Sequence, residues 1–245
     1  MEQSSKHELK NKLIKEYIIV KIFNIIKYSN ISETKEFQFL KTLIKSLKEK
    51  RRKPITGLRN TINNLGLFYK VKYDIIGNDN LIYSEKKSLL TNAIVSIRGN
   101  NNRLIIKSGV RYKGGYIRFE GDNCLISLGE DTVVAGAALQ VVESDRKIII
   151  GQDCMFSIGI HVWTSDFHSI VDLSTGHRIN ESKDVLIGNH VWVGEGSLIL
   201  KGATLEDGSI VAARSVVTGN VPKNTIVGGC PAKIIKQNVD WKRSL

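Results

Sequence analysis

From about residue 75 onward, apolar and polar positions alternate in a pattern that fits neither a helix nor an ordinary strand. Ile187, Val193, Ile199, Leu205, Val211 and Val217 are six apolar residues at successive intervals of six. Two positions before each stand Val185, Val191, Ser197, Ala203, Ser209 and Ser215, most of them small. A helix repeats every 3.6 residues or so and a strand every two, so neither alone isolates one apolar residue in six. A coil whose sides are short strands does. Three six-residue sides per turn bring equivalent positions inward, where they stack into a continuous core. The same period places Ile150, Phe156 and Val162 inward, with Ile148, Cys154 and Ile160 two before them, and Leu128 and Val134 extend it less regularly. Between about 92 and 125 the pattern is strand-rich but irregular.

The period fails over residues 163–184, a polar stretch holding Trp163, Asp166, His168, Asp172 and His177. A loop expelled from a rigid coil is a natural carrier of function. The first part of the chain reads differently. Leu9, Leu13, Tyr17 and Ile18 have helical spacing, which predicts a helix over 6–29. A second is predicted over 32–50, with Ser32 as N-cap and Phe37, Leu40, Leu43, Ile44 and Leu47 on one face. Pro54 and Gly57 interrupt it. The expected organisation is a basic α-helical region over 1–75 and a mainly β coil over 76–245.

Composition narrows the chemistry. Three cysteines, Cys124, Cys154 and Cys230, form no CxxC pair, which favours reduced thiols and a cytoplasmic setting over disulfides or zinc. No His, Asp and Glu set has ligand spacing, so no metal is expected. No signal peptide and no apolar run near 18 residues or so is visible. The net charge of +12 is concentrated in residues 1–60, which carry 15 Lys/Arg against 6 Asp/Glu. That balance suits an anionic polymer or a peripheral contact with a membrane, or simply a solvated helical surface. Nucleic-acid motifs are lacking, and no nucleic-acid partner is expected.

Three strings carry a resemblance: Thr164-Ser-Asp-Phe-His-Ser-Ile170, Ile187-Gly-Asn-His-Val-Trp-Val-Gly194 and Gly228-Gly-Cys-Pro-Ala-Lys233. In this order, around a six-residue period, they resemble the hexapeptide-repeat acyltransferases over roughly 90–245. Over 147–241 they resemble the sugar and polysaccharide O-acetyltransferases related to maltose, galactoside and xenobiotic acetyltransferases. The resemblance implies a left-handed parallel β-helix, a homotrimer with sites between neighbouring coils, and acetyl-CoA as co-substrate without a metal. The implied acceptor is a sugar hydroxyl of a bacterial surface polysaccharide such as capsule or lipopolysaccharide.

Site residues follow by resemblance. The family's loop histidine lies 24 residues before the tryptophan of the second string, as His168 does before Trp192. A neutral imidazole is suited to take a proton from a sugar hydroxyl. Asp166 is placed to orient it, or to serve the turn. Trp192 is expected to point outward and wall the pantetheine channel or the acceptor site, or to pack between subunits. Gly194, Ala213 and Thr218 are expected along the coenzyme groove, and Lys233 and Lys236 near its phosphates. His161 and His190 read as structural, His177 as a residue open to an acceptor. Arg214 and Cys230 depart from the family's usual small residue and asparagine. Two other functions remain compatible with the sequence: an amino-sugar N-acetyltransferase, and a non-catalytic trimeric scaffold.

Overall fold

The computed structural model describes residues 55–244. Strands begin at the first of these, because β-branched and aromatic residues alternate with Gly, Asn and Asp turns throughout. Twenty-three strands and no helix are found among the described residues. All pairings are parallel except the last, and together they wind a β-helix of about seven turns. The expected helices over 6–29 and 32–50 lie outside the described residues. The coil begins some twenty residues earlier than the expected boundary: Ile55–Thr56 already pairs in parallel with Ile75 and Ile76. Polar Asn and Gly residues in this stretch hide its apolar rows.

The coil has three faces. Eight strands stack on the first, from Thr61–Asn64 to Asn220–Val221. The second and third belong to one continuous sheet, because Leu89–Arg98 and Arg111–Glu120 run through the corner between them. The predicted inward rows are inward. Ile187, Val193, Ile199, Leu205, Val211 and Val217 are all at most 2% exposed, and the small residues two positions before them are fully buried. In these coils equivalent residues are 18 apart. Trp192 pairs with Ile210, and Leu198 with Val216.

The irregular stretch upstream has a period of its own. Equivalent residues are 22 apart, and Gly77, Gly99 and Gly121 mark the repeat. Each has a positive φ, and a Cβ on Gly77 or Gly99 would lie about 2 Å from the carbonyl oxygen of the next glycine in the row, so only glycine fits. Behind this row, buried asparagines stack. Asn80 Nδ2 donates to Gly99 O and Asn102 Nδ2 to Gly121 O, both at 2.9 Å. Their Oδ1 atoms accept the backbone N–H of Asn102 and Cys124 one coil on. Each corner's buried backbone groups are thereby satisfied, as burial demands. At Cys124 a thiol takes the asparagine's place, its Sγ 3.2 Å from Glu143 O. Residues 164–184 are inserted where the third face turns into the first, and the spacing between coils there rises to 37.

Candidate active site

Both limbs of the insertion are tied to the coil and to each other. On one side Glu143, at a corner of the preceding coil, accepts two hydrogen bonds from Arg178, at 2.6 and 2.9 Å, and one from Ser165. The Arg178 guanidinium holds the Glu143 carboxyl down at about 2. On the other side Lys201, from the next coil, donates to Asp166 at 2.5 Å and to Asn180 O at 2.9 Å. Between them lies the buried Asn180. Its Nδ2 donates to Asp166 and to the carbonyl of His168, both at 2.8 Å, while its Oδ1 accepts from Ile170 N and Arg178.

This clamp leaves His168 at the surface. Its imidazole is exposed and has no hydrogen-bond partner among the described residues. Phe167, just before it, has φ of 64°, a left-handed conformation that bulky residues seldom adopt. Phe167 is held there edge-on against Trp163, whose ring meets His161 in the same way. Asp166 does not touch the His168 ring. Lys201 and, after it, Asn180 occupy its carboxylate and lower its pKa. Asp166, expected either to orient the imidazole or to serve the turn, here ties the two limbs of the loop to each other and to the next coil.

The expected coenzyme residues fall at two corners. Gly194 and Ala213 stack where the second face turns into the third. A Cβ on Gly194 would lie 2.6 Å from Ala213 N, so the backbones there are in close approach. Gly228 continues that corner beside Ala212, and Lys233 pairs with Gly228 in the closing antiparallel hairpin of Thr225–Gly229 and Ala232–Gln237. Lys236 lies farther along it, opposite Ile226, and both lysines are exposed. Thr218 is elsewhere, at the corner that also carries Lys201 and the insertion. Arg214 has φ of 57° and is exposed beside Gly196. A depression of about 520 Å³ lies on the first face, lined by Ile149, Leu186, Thr204 and Lys223 among others. It contains none of these residues.

Trp192 points outward from the second face, 38% exposed, between Met155 and Ile210. The C-terminal tail runs beside it. Trp241 is buried, stacks on His190 at 4.2 Å, donates its Nε1–H to His190 O and lies 6.2 Å from the Trp192 ring. His190 Nδ1 meets Asp153 at 2.6 Å, and Arg243 binds the same carboxylate. Burial alone would lower the His190 pKa, but Asp153, the Trp241 carbonyl and Asp240 raise it. His190 is therefore structural, as expected. In one chain His168 and Trp192 are on different sides of the prism, the first at a corner and the second on the face opposite that corner.

Residues 184–219 match the model of the bacterial transferase hexapeptide (six repeats). Over 192 residues the chain is 33% identical to the polysialic acid O-acetyltransferase of Neisseria meningitidis, covering 77% of this chain and 88% of that protein. The chain belongs to the hexapeptide-repeat acyltransferases. The solved polysialic acid O-acetyltransferase OatWY has a TM-score of 0.75 at 31% identity, covering 80% of this chain and 93% of that one. The polySia-specific acetyltransferase NeuO gives 0.70 at 31% identity, covering 78% and 88%. This chain is an acetyl-CoA-dependent O-acetyltransferase. The sequence strings had not pointed to Asn180, Arg178, Glu143, Lys201 or Trp241. Of these, only Asn180 and Arg178 lie inside the expelled loop, where a search for hidden roles would begin.

Proposed function

We propose that the chain acetylates a hydroxyl of an anionic bacterial surface polysaccharide, with His168 as the general base. His168 removes the hydroxyl proton, the oxygen attacks the thioester carbonyl of acetyl-CoA, and the coenzyme A thiolate leaves. One observation carries the reading: an unpartnered, exposed imidazole held by a rigid clamp on the only long insertion of the described coil. General-base catalysis by such a group is worth about 10²–10⁴ in rate. The excess of cations in residues 1–60 complements an acidic polymer, and relatives named for polysialic acid favour that class of acceptor. Trp192 walls the acceptor or pantetheine path. Gly194 and Ala213 let the coenzyme lie close to the backbone, and Lys233 and Lys236 meet its phosphates.

The working unit is a homotrimer with each site shared between two copies. The separation of His168 from Trp192 within one chain supports this, because a neighbouring copy can bring one chain's loop to the other's second face. The loop also exposes Leu173, Ile179 and Ile170, suited to cover by another chain. Mass spectrometry of polysialic acid and of amino-sugar acceptors after incubation with acetyl-CoA tests the reaction. Acetyl gain on amines alone would sink it in favour of N-acetylation. Co-assembly of His168→Ala with Trp192→Ala tests the sharing. With random mixing about a quarter of the sites regain both residues, whereas a site within one chain would stay inactive.

A further inference from the structure

The amide of Asn180 is saturated in a way that fixes which side is nitrogen. Its two N–H groups meet only acceptors, the Asp166 carboxylate and the His168 carbonyl. Its oxygen meets only donors, the Ile170 N–H at 2.7 Å and Arg178 Nε at 3.2 Å. No other side chain offers two donors and an acceptor in so short a reach. The residues on the far side of these bonds bracket His168: 166 before it, 168 itself and 170 after it. Asn180 is 7% exposed, and its own carbonyl is tied to Lys201 of the next coil and to Arg178, which is bound in turn to Glu143 of the preceding one. The coil on both sides is thus linked through one amide to the backbone that bears the imidazole.

We propose that Asn180 is the positioning residue for His168, transmitting the rigidity of the coil to the carbonyl of the catalytic histidine. The proposal rests on the reading of His168 as general base. A base displaced by about 1 Å can lose about 10²-fold in rate, while a coenzyme site at another corner is untouched. The sharpest variant is Asn180→Asp, which keeps shape and the acceptor oxygen but sets a carboxylate against Asp166 and the His168 carbonyl.

The experiment uses the full chain with acetyl-CoA and polysialic acid. Asn180→Asp should lower kcat by about 10- to 10²-fold, leaving KM for acetyl-CoA within about twofold and the thermal melt cooperative. The double variant Asp166→Asn with Asn180→Asp restores an amide–carboxylate pair between the limbs but no donor for His168 O. It should stay at least about tenfold below wild type in kcat. Full recovery by that exchange would show that joining the limbs suffices, and would overturn the proposal, as would a wild-type kcat in Asn180→Asp. Hydrogen exchange separates this from the assignment of the base. In Asn180→Ala the Ile170 amide, deprived of its acceptor, should exchange at least about tenfold faster; an unchanged rate would overturn the positioning role. A fully active His168→Ala would instead remove the base and leave the exchange result standing. If Asn180→Ala loses its cooperative melt, the kcat values of Asn180→Asp and of the double variant decide: a wild-type kcat in either overturns the proposal, and a loss of at least about tenfold in both upholds it.

Discussion

The two halves of the coil solve one problem by different means. Downstream, each turn is 18 residues long, and its corners are filled by buried small residues such as Ser197, Ala203, Ser209 and Ser215. Ser197 and Ser215 return their hydroxyls to nearby carbonyls. Upstream, each turn takes 22 residues, and its corners are held by Asn80, Asn102 and their glycine partners bonding from coil to coil. At the short corner between the second and third faces Gly194 is buried against the backbone of Ala213, and Ala213 itself is exposed. The asparagine corner is closed by its own ladder. His168 and Trp192 both lie beyond the asparagine coils, which carry neither.

The separation can be broken from either side. His168→Ala should lower transfer by at least about 10²-fold without moving the melting temperature, because an exposed imidazole supports nothing. Steady-state rates and a melt on one preparation decide it. Asn102→Ala should do the reverse. It orphans the buried Cys124 N–H, worth about 1–3 kcal/mol, and the part-buried Gly121 carbonyl, worth about 1 kcal/mol, so chemical denaturation should show a loss of about 2–4 kcal/mol with kcat retained by the folded fraction. Lys233→Ala is expected to be milder, weakening coenzyme A by severalfold and dephospho-CoA less, as titration calorimetry would show. Equal losses would place that lysine away from the phosphate. The smallest effect lies at the seam between the halves. Glu143 has a folded pKa of about 2 against an ordinary 4.5, so its contribution is present above about pH 4.5 and is lost as pH falls toward 2. Both partners are about a third exposed, and screening holds the contribution to about 1 kcal/mol. The stability gap between wild type and Glu143→Gln should therefore be flat from pH 6 to 8 and close between about pH 4.5 and 2.

The downstream coils were legible because one apolar residue in six, from Ile187 to Val217, reports an inward position directly. The upstream coils were not, although Gly77, Gly99 and Gly121 with their trailing asparagines repeat plainly at 22. Their inward positions include Asn80, Asn102 and Ser88, which read as turn or surface residues until stacking supplies them with partners. That His168 lies on an expelled loop and that Trp192 points outward could be read from the broken period and the motif strings. The part of Asp166 could not, since its decisive partner Lys201 lies 35 residues away on another coil. Its acidity suggested a partner for the imidazole, and only the packed corner shows that a lysine claims it. Trp241 was invisible for a related reason, because a lone aromatic near a chain end carries no period.

The tail that bears Trp241 changes how the molecule can come together and fall apart. In a solenoid each turn touches its neighbours alone, so such an array can assemble progressively and fray from an end. Here Arg243 reaches back across 112 positions to the Asp131 carbonyl and binds Asp153, while Trp241 stacks on His190 and Val239 pairs with Asn224. Trp241 and Arg243 thus fasten turns that lie far back in the sequence. Without these contacts the final coils are a spring with a free end; with them they open together. Cutting the chain before Trp241 would leave the three motif strings intact and yet loosen the turns under Trp192, so the order of that face depends on residues that belong to none of the strings.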